Sequence, residues 1–256
     1  MAHNENHMFA PKTDRIAKLV VRHQKRIEEL AAIFDRPTNM YIDYANVKPW
    51  SERLGWHVDL KRLKQFVDSF DAIRSVKLYQ GTLIGDAVSE NLIQDAKAAG
   101  YEVHTKPVKI MRLPINVSSV APNSPDVLNH FIRTPLLRQL KLEAITYIND
   151  QLRDLNRQGT LWLEDRKCNF DVEIGRDMLR DLDQQRAESF ILWSGDSDFA
   201  GPIEELLASG KRVFLFATAR RVASELNALS SRGLAIFDIQ KIRDFICWKK
   251  EMSVPF

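Results

Sequence analysis

Asp43, Asn46, Asp171, Ser194, Asp196 and Asp198 are of the types that gather around a hard cation. Mg²⁺ and Mn²⁺ prefer oxygen ligands, and carboxylates supply them together with waters and phosphate oxygens. Asp196 and Asp198 follow an apolar run, Phe190 to Trp193, that reads as a buried strand broken by Ser194 and Gly195. Asp43 likewise ends a short strand over 39–43, with Asn46 three residues on. A third acidic stretch lies between Lys167 and Leu179. There Val172, Ile174, Met178 and Leu179 mark the buried side of a helix interrupted by Gly175. Asp171 opens that helix, where a carboxylate suits the positive end of the dipole. Asp177 is about 600° further round at 100° per residue, so it reads as a supporting residue or a structural one. Asp, Ser and Gly also turn chains and cap helices without any ligand. Turn chemistry alone, however, does not require two separate strands to end in acids.

The elements that must carry these residues alternate. The spacing predicts a helix over 13–35, with Ile16, Val20, His23, Ile27, Leu30 and Phe34 on one stripe, stopped by Arg36 and Pro37. Next come the strand 39–43, a helix 59–70, a strand 73–79, a helix 86–98 closed by Gly100, and a strand 101–105. Right-handed β-α-β crossovers make such a sheet parallel. Ligands in parallel sheets bind beyond the carboxyl ends of the strands. An insertion over about 107–165 interrupts the alternation. It starts as irregular chain through Pro114, Pro122 and Pro125, continues as a helix over 135–157, and returns through a strand-like Thr160 to Leu163. After the Asp196–Asp198 turn the pattern resumes with a helix ending near Gly210, a strand 211–216, a helix 223–229 and a strand 234–237. The division expected is an N-terminal helical arm over 1–36, a main domain over 37–245 and a tail over 246–256.

Three blocks of this chain resemble the signature blocks of NYN domains, the LabA-like branch of the PIN-like nucleases. They are Ile42 to Val47, Lys167 through Asp171 to Asp177, and Ser194 to Phe199. The resemblance spans roughly 38–240 and is most specific in the last block. It implies a Rossmann-like, three-layer α/β fold with a mostly parallel sheet, here with an N-terminal helix and a helical insertion added. It also implies a carboxylate cluster at the sheet's carboxyl edge and a metal-dependent ribonuclease activity. On the matching positions, Asp43, Asp171, Asp196 and Asp198 are the expected catalytic and metal-binding acids. Asn46 falls on the family's Asn and Ser194 on its small hydroxyl residue. Tyr44 departs from the small residue common after the first Asp, and one extra residue separates Lys167 from Asp171.

Composition bounds the partners. Cys168 and Cys247 have no metal-ligand spacing and imply no disulfide framework, so a reducing, cytoplasmic setting is expected. No apolar run approaches the ~20 residues that span a bilayer. Net charge is only +3, but residues 101–141 hold Lys106, Lys109, Arg112, Arg133, Arg138 and Lys141 against Glu102 and Asp126, a local +4. A phosphate backbone is drawn to such a stretch, although a solvated basic surface has the same composition. Lys106, Lys109 and Arg112 are the expected RNA contacts. Lys167 is expected either to meet a phosphate or to offset the acids. Trp50 and Trp56 have the chemistry to stack on bases, and equally that to pack the domain. The apolar stripes of 13–35 and 135–157 are expected to pair within the chain or to bind a second copy or another protein.

The reaction this set supports is hydrolysis of an RNA phosphodiester with one or two Mg²⁺ or Mn²⁺ ions. A dehalogenase-type phosphatase is excluded because the second residue after Asp43 is Ala45 rather than Asp. A toprim site needs Glu where Asp43 stands. The remaining rival is an RNA-binding or scaffolding NYN protein without turnover.

Overall fold

The computed structural model describes residues 9–47, 56–217 and 222–249. Trp50 and the side chain of Trp56 lie outside what is described. A mixed α/β body is built on a six-stranded parallel sheet of order β4-β3-β1-β7-β8-β9. These strands are β1 (Thr38–Asp43), β3 (Ile73–Thr82), β4 (Glu102–Pro107), β7 (Ser189–Trp193), β8 (Arg212–Ala217) and β9 (Ala235–Asp238). The chain builds outward from β1 to β4 on one side. It then returns to build β7 to β9 on the other. The strand order therefore reverses between β1 and β7, the point beyond whose strand ends ligands bind in open α/β sheets. Asp43 ends β1, and Asp196 and Asp198 follow β7, so the topology delivers both strands' acids to one place.

Period-2 alternation divides the sheet's side chains between two cores. Met40, Ile42, Val76, Leu78, Ile191, Trp193, Phe214 and Phe216 face one side. Tyr41, Tyr79, Phe190, Leu192, Val213 and Leu215 face the other. β1 and β7 are buried along their whole length, as central parallel strands covered on both faces must be. Each fully buried Ile, Leu or Phe contributes roughly 1.5–3 kcal/mol.

The first core is covered by α1 (Asp14–Arg22), α2 (Gln24–Ile33) and α3 (Leu60–Val67), and α4 (Ala87–Ala98) adds Ala96 to it. The expected single helix over 13–35 is thus two helices. His23 has non-helical backbone, pairs with Asp244 at 3.2 Å and packs edge-on against Phe245. Nor are α1 and α2 an arm. Ile16, Ile27, Leu30, Ile33 and Phe34 belong to the main core, which uses the stripe that a second chain would have needed. The folded body also runs past 245. β10 (Cys247–Lys249) pairs antiparallel with β2 (Trp56–Val58), directly after the short helix over Arg243–Ile246.

The second core is covered by the long acidic helix over Asp171–Asp183, with helices over Ala200–Ala208 and Ser224–Ala228. Gly175 interrupts the apolar pattern of the acidic helix for a packing reason. A Cβ there would meet Pro202 Cγ at 3.1 Å, so the two helices approach more closely than a side chain permits.

Residues 108–167 form a separate compact unit. Its strands β5 (Lys109–Ile115) and β6 (Leu161–Lys167) pair antiparallel, and a helix over Leu142–Gln158 follows a short turn of helix over Thr134–Leu137. The sequence predicts irregular chain over 109–115, because Pro114 and the charges disrupt any alternation. A two-stranded ribbon consists only of edges, and edges tolerate Pro. Ile115, Val117 and Val127 form one small core of this unit, and Leu128, Leu137 and Ile145 another.

Candidate metal centre and active site

One oxygen from each of Asp171, Asp196 and Asp198 lies within 4.8 Å of the other two. Each arrives for a local reason. Asp196 ends the extended backbone after β7, and its side chain accepts the Asp198 N–H at 3.3 Å, which closes a short 3₁₀ turn. The capping role anticipated as the alternative to a ligand role is therefore real, and the second carboxylate oxygen of Asp196 is not needed for it. Asp171 is the first residue of the acidic helix, and its N–H is held by Asn169 Oδ1 at 2.9 Å. Its own Oδ2 is shielded from solvent and has no hydrogen-bond partner.

Asp43 stands beside this group at the end of β1, only 4% exposed. Asn46, on the helical turn at 44–47, donates to Asp43 Oδ2 and to Ser194 Oγ at 3.1 Å. Ser194 Oγ in turn lies 3.5 Å from Asp43 Oδ2 and accepts the Asp196 N–H at 3.3 Å. A continuous hydrogen-bonded chain thus joins the ends of β1 and β7. Asn46→Ala should loosen Asp43 and weaken Mn²⁺ affinity about 10- to 100-fold, as loss of groups that orient ligands does. Calorimetric titration of the variant with Mn²⁺ tests this, and an unchanged affinity would show that Asn46 orients nothing.

The acids perturb one another. Burial pushes the Asp171 carboxyl up, and the charges of Asp196, Asp43 and Asp198 push it further, to about 6 despite the Asn169 contact. Burial also raises Asp43, with Asp196 adding to it, while the hydrogen bonds of Asn46 and Ala45 oppose the rise. A crowd of carboxylates with an orphaned, shielded oxygen is costly as it stands. It fits a hard divalent cation, which would give that oxygen a partner and neutralise the charge.

A cleft of about 710 Å³ runs beside the acids, lined by Asp171, Asp198, Lys106, Glu173, Arg176 and Pro202 among others. Lys106, at the end of β4, pairs with Glu173 at 2.6 Å and sits 4.6 Å from the Phe170 ring centroid. Lys109, Arg112 and Lys167 belong to the β5–β6 ribbon of the other unit, where Arg112 pairs with Glu164 at 3.0 Å and Lys167 with Asp165 at 3.4 Å.

Asp177 does not join the three acids. It is buried under the acidic helix, accepts from the Tyr79 hydroxyl at 2.9 Å, and lies near His104 and Arg176. One turn on is a residue that the sequence reading missed. Asp181 is fully buried and accepts from Asn39 at 2.8 Å, the Tyr41 hydroxyl at 2.6 Å and Lys77 Nζ at 2.7 Å. These two acids anchor the helix that presents Asp171 to the sheet beneath it. The signal was available in two periods. Asp177 and Asp181 are four apart on one helix face, and Asn39/Tyr41 and Lys77/Tyr79 are each two apart on one strand face.

Residues 133–235 match the NYN domain family model, a span that includes Asp171, Asp196 and Asp198 and leaves out β1 with Asp43. The chain is 24% identical over 223 residues to the low amplitude and bright protein LabA of Synechococcus elongatus, covering 86% of this chain and 94% of that one. The crystal structure of a protein of unknown function from Vibrio parahaemolyticus is similar at 16% identity and a TM-score of 0.48, over 82% of this chain and 95% of that one.

Proposed function

We propose that this NYN, LabA-like protein is a Mg²⁺- or Mn²⁺-dependent ribonuclease. The observation that carries the reading is the carboxylate group Asp171, Asp196 and Asp198 beside the strand ends where the order reverses, with Asp171 Oδ2 lacking a hydrogen-bond partner.

In this reading Asp171, Asp196 and Asp198 hold the metal. Asp43, fixed by Asn46 and Ser194, adds a fourth carboxylate from β1. When bound, the cation lowers the pKa of a ligated water so that hydroxide is available near neutral pH, and it offsets charge on the phosphoryl oxygens. The protein contributes position. The β1 and β7 ends are locked together through Asn46 and Ser194, and the acidic helix is locked to the sheet through Asp181 and Lys77. Lys106 stands over the cleft beside Asp171 and exchanges Glu173 for a phosphate oxygen of the substrate. Lys109, Arg112 and Lys167 add affinity through phosphates without reading sequence.

No helix among the described residues is long and apolar enough to cross a membrane. Cys168 and Cys247 are unpaired thiols, in keeping with a proposed cytoplasmic location. A second copy or a protein partner, if one binds, finds more uncovered apolar surface on the helix over Leu142–Gln158 than on α1 and α2. Leu142, Tyr147 and Leu155 are exposed there.

The test is incubation of purified protein with end-labelled single-stranded and structured RNAs in Mn²⁺ and in EDTA. Cleavage should appear with Mn²⁺ and vanish in EDTA. Binding without cleavage in either condition would replace the nuclease reading with an RNA-binding or scaffolding one.

A further inference from the structure

The β5–β6 ribbon carries a second feature that the hydrolytic site does not use. Strand alternation gives it two faces. Ile115, Leu161 and Leu163 turn inward, packing with Val117, Val127 and Leu152. The other face presents the cross-strand pairs Pro114–Trp162, Arg112–Glu164 and Ile110–Arg166. Trp162 is 55% exposed there, and Ile110 is 42% exposed. A Trp on an outer face gains little from folding, since over half its surface stays in water.

The charges around it are one-sided. Glu164 is the only acid among those cross-strand pairs, and it is shared between Arg112 at 3.0 Å and Arg166 at 3.8 Å. At the end of the ladder Lys109 pairs directly with Lys167. That pair lies on the opposite face, with Leu163 and Ile115, and Lys167 is paired with Asp165 at 3.4 Å. On the outer face itself two cations, Arg112 and Arg166, stand against Glu164. An uncovered aromatic ring on the same face as two guanidinium groups matches the two parts of a single-stranded nucleotide, a π-face and a phosphate. An acidic partner protein would satisfy the cations and leave the indole unused.

We propose that the outer face of the β5–β6 ribbon is a binding platform for single-stranded RNA, with a base stacked on Trp162 and phosphates held by Arg112 and Arg166. The choice of RNA rests on the ribonuclease reading, and the platform itself lies wholly within residues 108–167. Its role is affinity. Stacking tolerates any base, so the platform holds RNA without choosing its sequence.

The experiment is fluorescence anisotropy of a labelled twelve-nucleotide oligouridine with the full chain in EDTA, across a salt series. Stacking is worth about 1–3 kcal/mol per base, so Trp162→Ala should weaken binding roughly 5- to 150-fold with an unchanged salt slope. Trp162→Phe should restore most of the affinity. Arg112→Gln with Arg166→Gln should lower the salt slope, by up to ~0.7 log units for each phosphate no longer neutralised. Trp162→Ala affinity equal to wild type overturns the platform, as does wild-type protein that cleaves RNA in Mn²⁺ but binds none in EDTA. Trp162-dependent binding by a protein that cleaves nothing upholds the platform and overturns the ribonuclease reading. Because Trp162 is exposed, the circular dichroism and melting temperature of Trp162→Ala should match wild type. If they do not, the double Arg variant carries the test, and an unchanged salt slope overturns the platform.

Discussion

If the protein is the proposed ribonuclease, Asp196→Asn is expected to lower Mn²⁺-dependent RNA cleavage by more than about a hundredfold and to leave the fold intact. The expected loss exceeds the 10- to 100-fold typical of a group that merely orients a ligand, because Asp196 belongs to the three-carboxylate group itself. The substitution keeps shape and the capped turn, since an amide oxygen still accepts the Asp198 N–H. It also removes one of the charges that push Asp171 up. A carboxyl raised in the folded state contributes stability below its unfolded value, near 3.9, and that contribution is lost as pH rises through the folded value. Metal-free wild-type protein should therefore lose stability between about pH 4 and the Asp171 value of about 6. In Asp196→Asn that decline should be shallower and the neutral-pH melting temperature higher. Cleavage rates and metal-free melting curves from pH 4 to 8 test both parts. An unchanged rate would place the chemistry elsewhere, and a variant melting below wild type at pH 7 would contradict the repulsion.

Lys77→Met should cost about 3–5 kcal/mol of stability, the range for removing one partner of a buried ion pair. Both members are almost fully inaccessible, at 2.7 Å. Burial alone would raise the Asp181 carboxyl. The bonds from Lys77, Tyr41 and Asn39 more than offset this, and the group ends below its ordinary value. That stabilisation is present above pH ~3.9 and is lost as pH falls through the depressed folded value. The gap between wild type and Lys77→Met should accordingly be widest near neutrality and narrow toward pH 4 and below. Urea unfolding at pH 7 and pH 4 measures it. A cost under about 1 kcal/mol at pH 7 would mean that Tyr41 and Asn39 suffice for Asp181, below the range expected for a broken buried pair.

The sheet was legible because its central strands are buried on both faces. Phe190 to Trp193 and Val213 to Phe216 are unbroken apolar runs, and acids placed just after such runs draw attention to themselves. What stayed hidden was polar or short. Asn39 and Lys77 interrupt apolar strands and look like surface residues until Asp181 is seen beneath them. His23 lies on a perfect stripe, so no periodicity announces the break there; its backbone and its partner Asp244, far along the chain, do. β5 lacks alternation, and the three residues of β10 are too few to show any. Asp171, Asp196 and Asp198 were each readable from their own segments. The fixing of Asp43 by Ser194 is a contact across 151 residues that no local pattern encodes.

The point where the insertion leaves and rejoins the main body has a consequence for how such a protein diversifies. Pro107 ends β4, and Cys168 resumes the main unit with its sulfur 3.9 Å from the Lys106 carbonyl oxygen. The sixty residues between them begin and end almost at the same spot. Closing so narrow a gap costs little more for a long loop than for a short one, since the entropy grows only with the logarithm of length. The segment is therefore a cassette. It can lengthen, shrink or be exchanged while the sheet continues to hold Asp43, Asp196 and Asp198 as before. Under the proposed function, the part that adds affinity can change while the carboxylates stay in place.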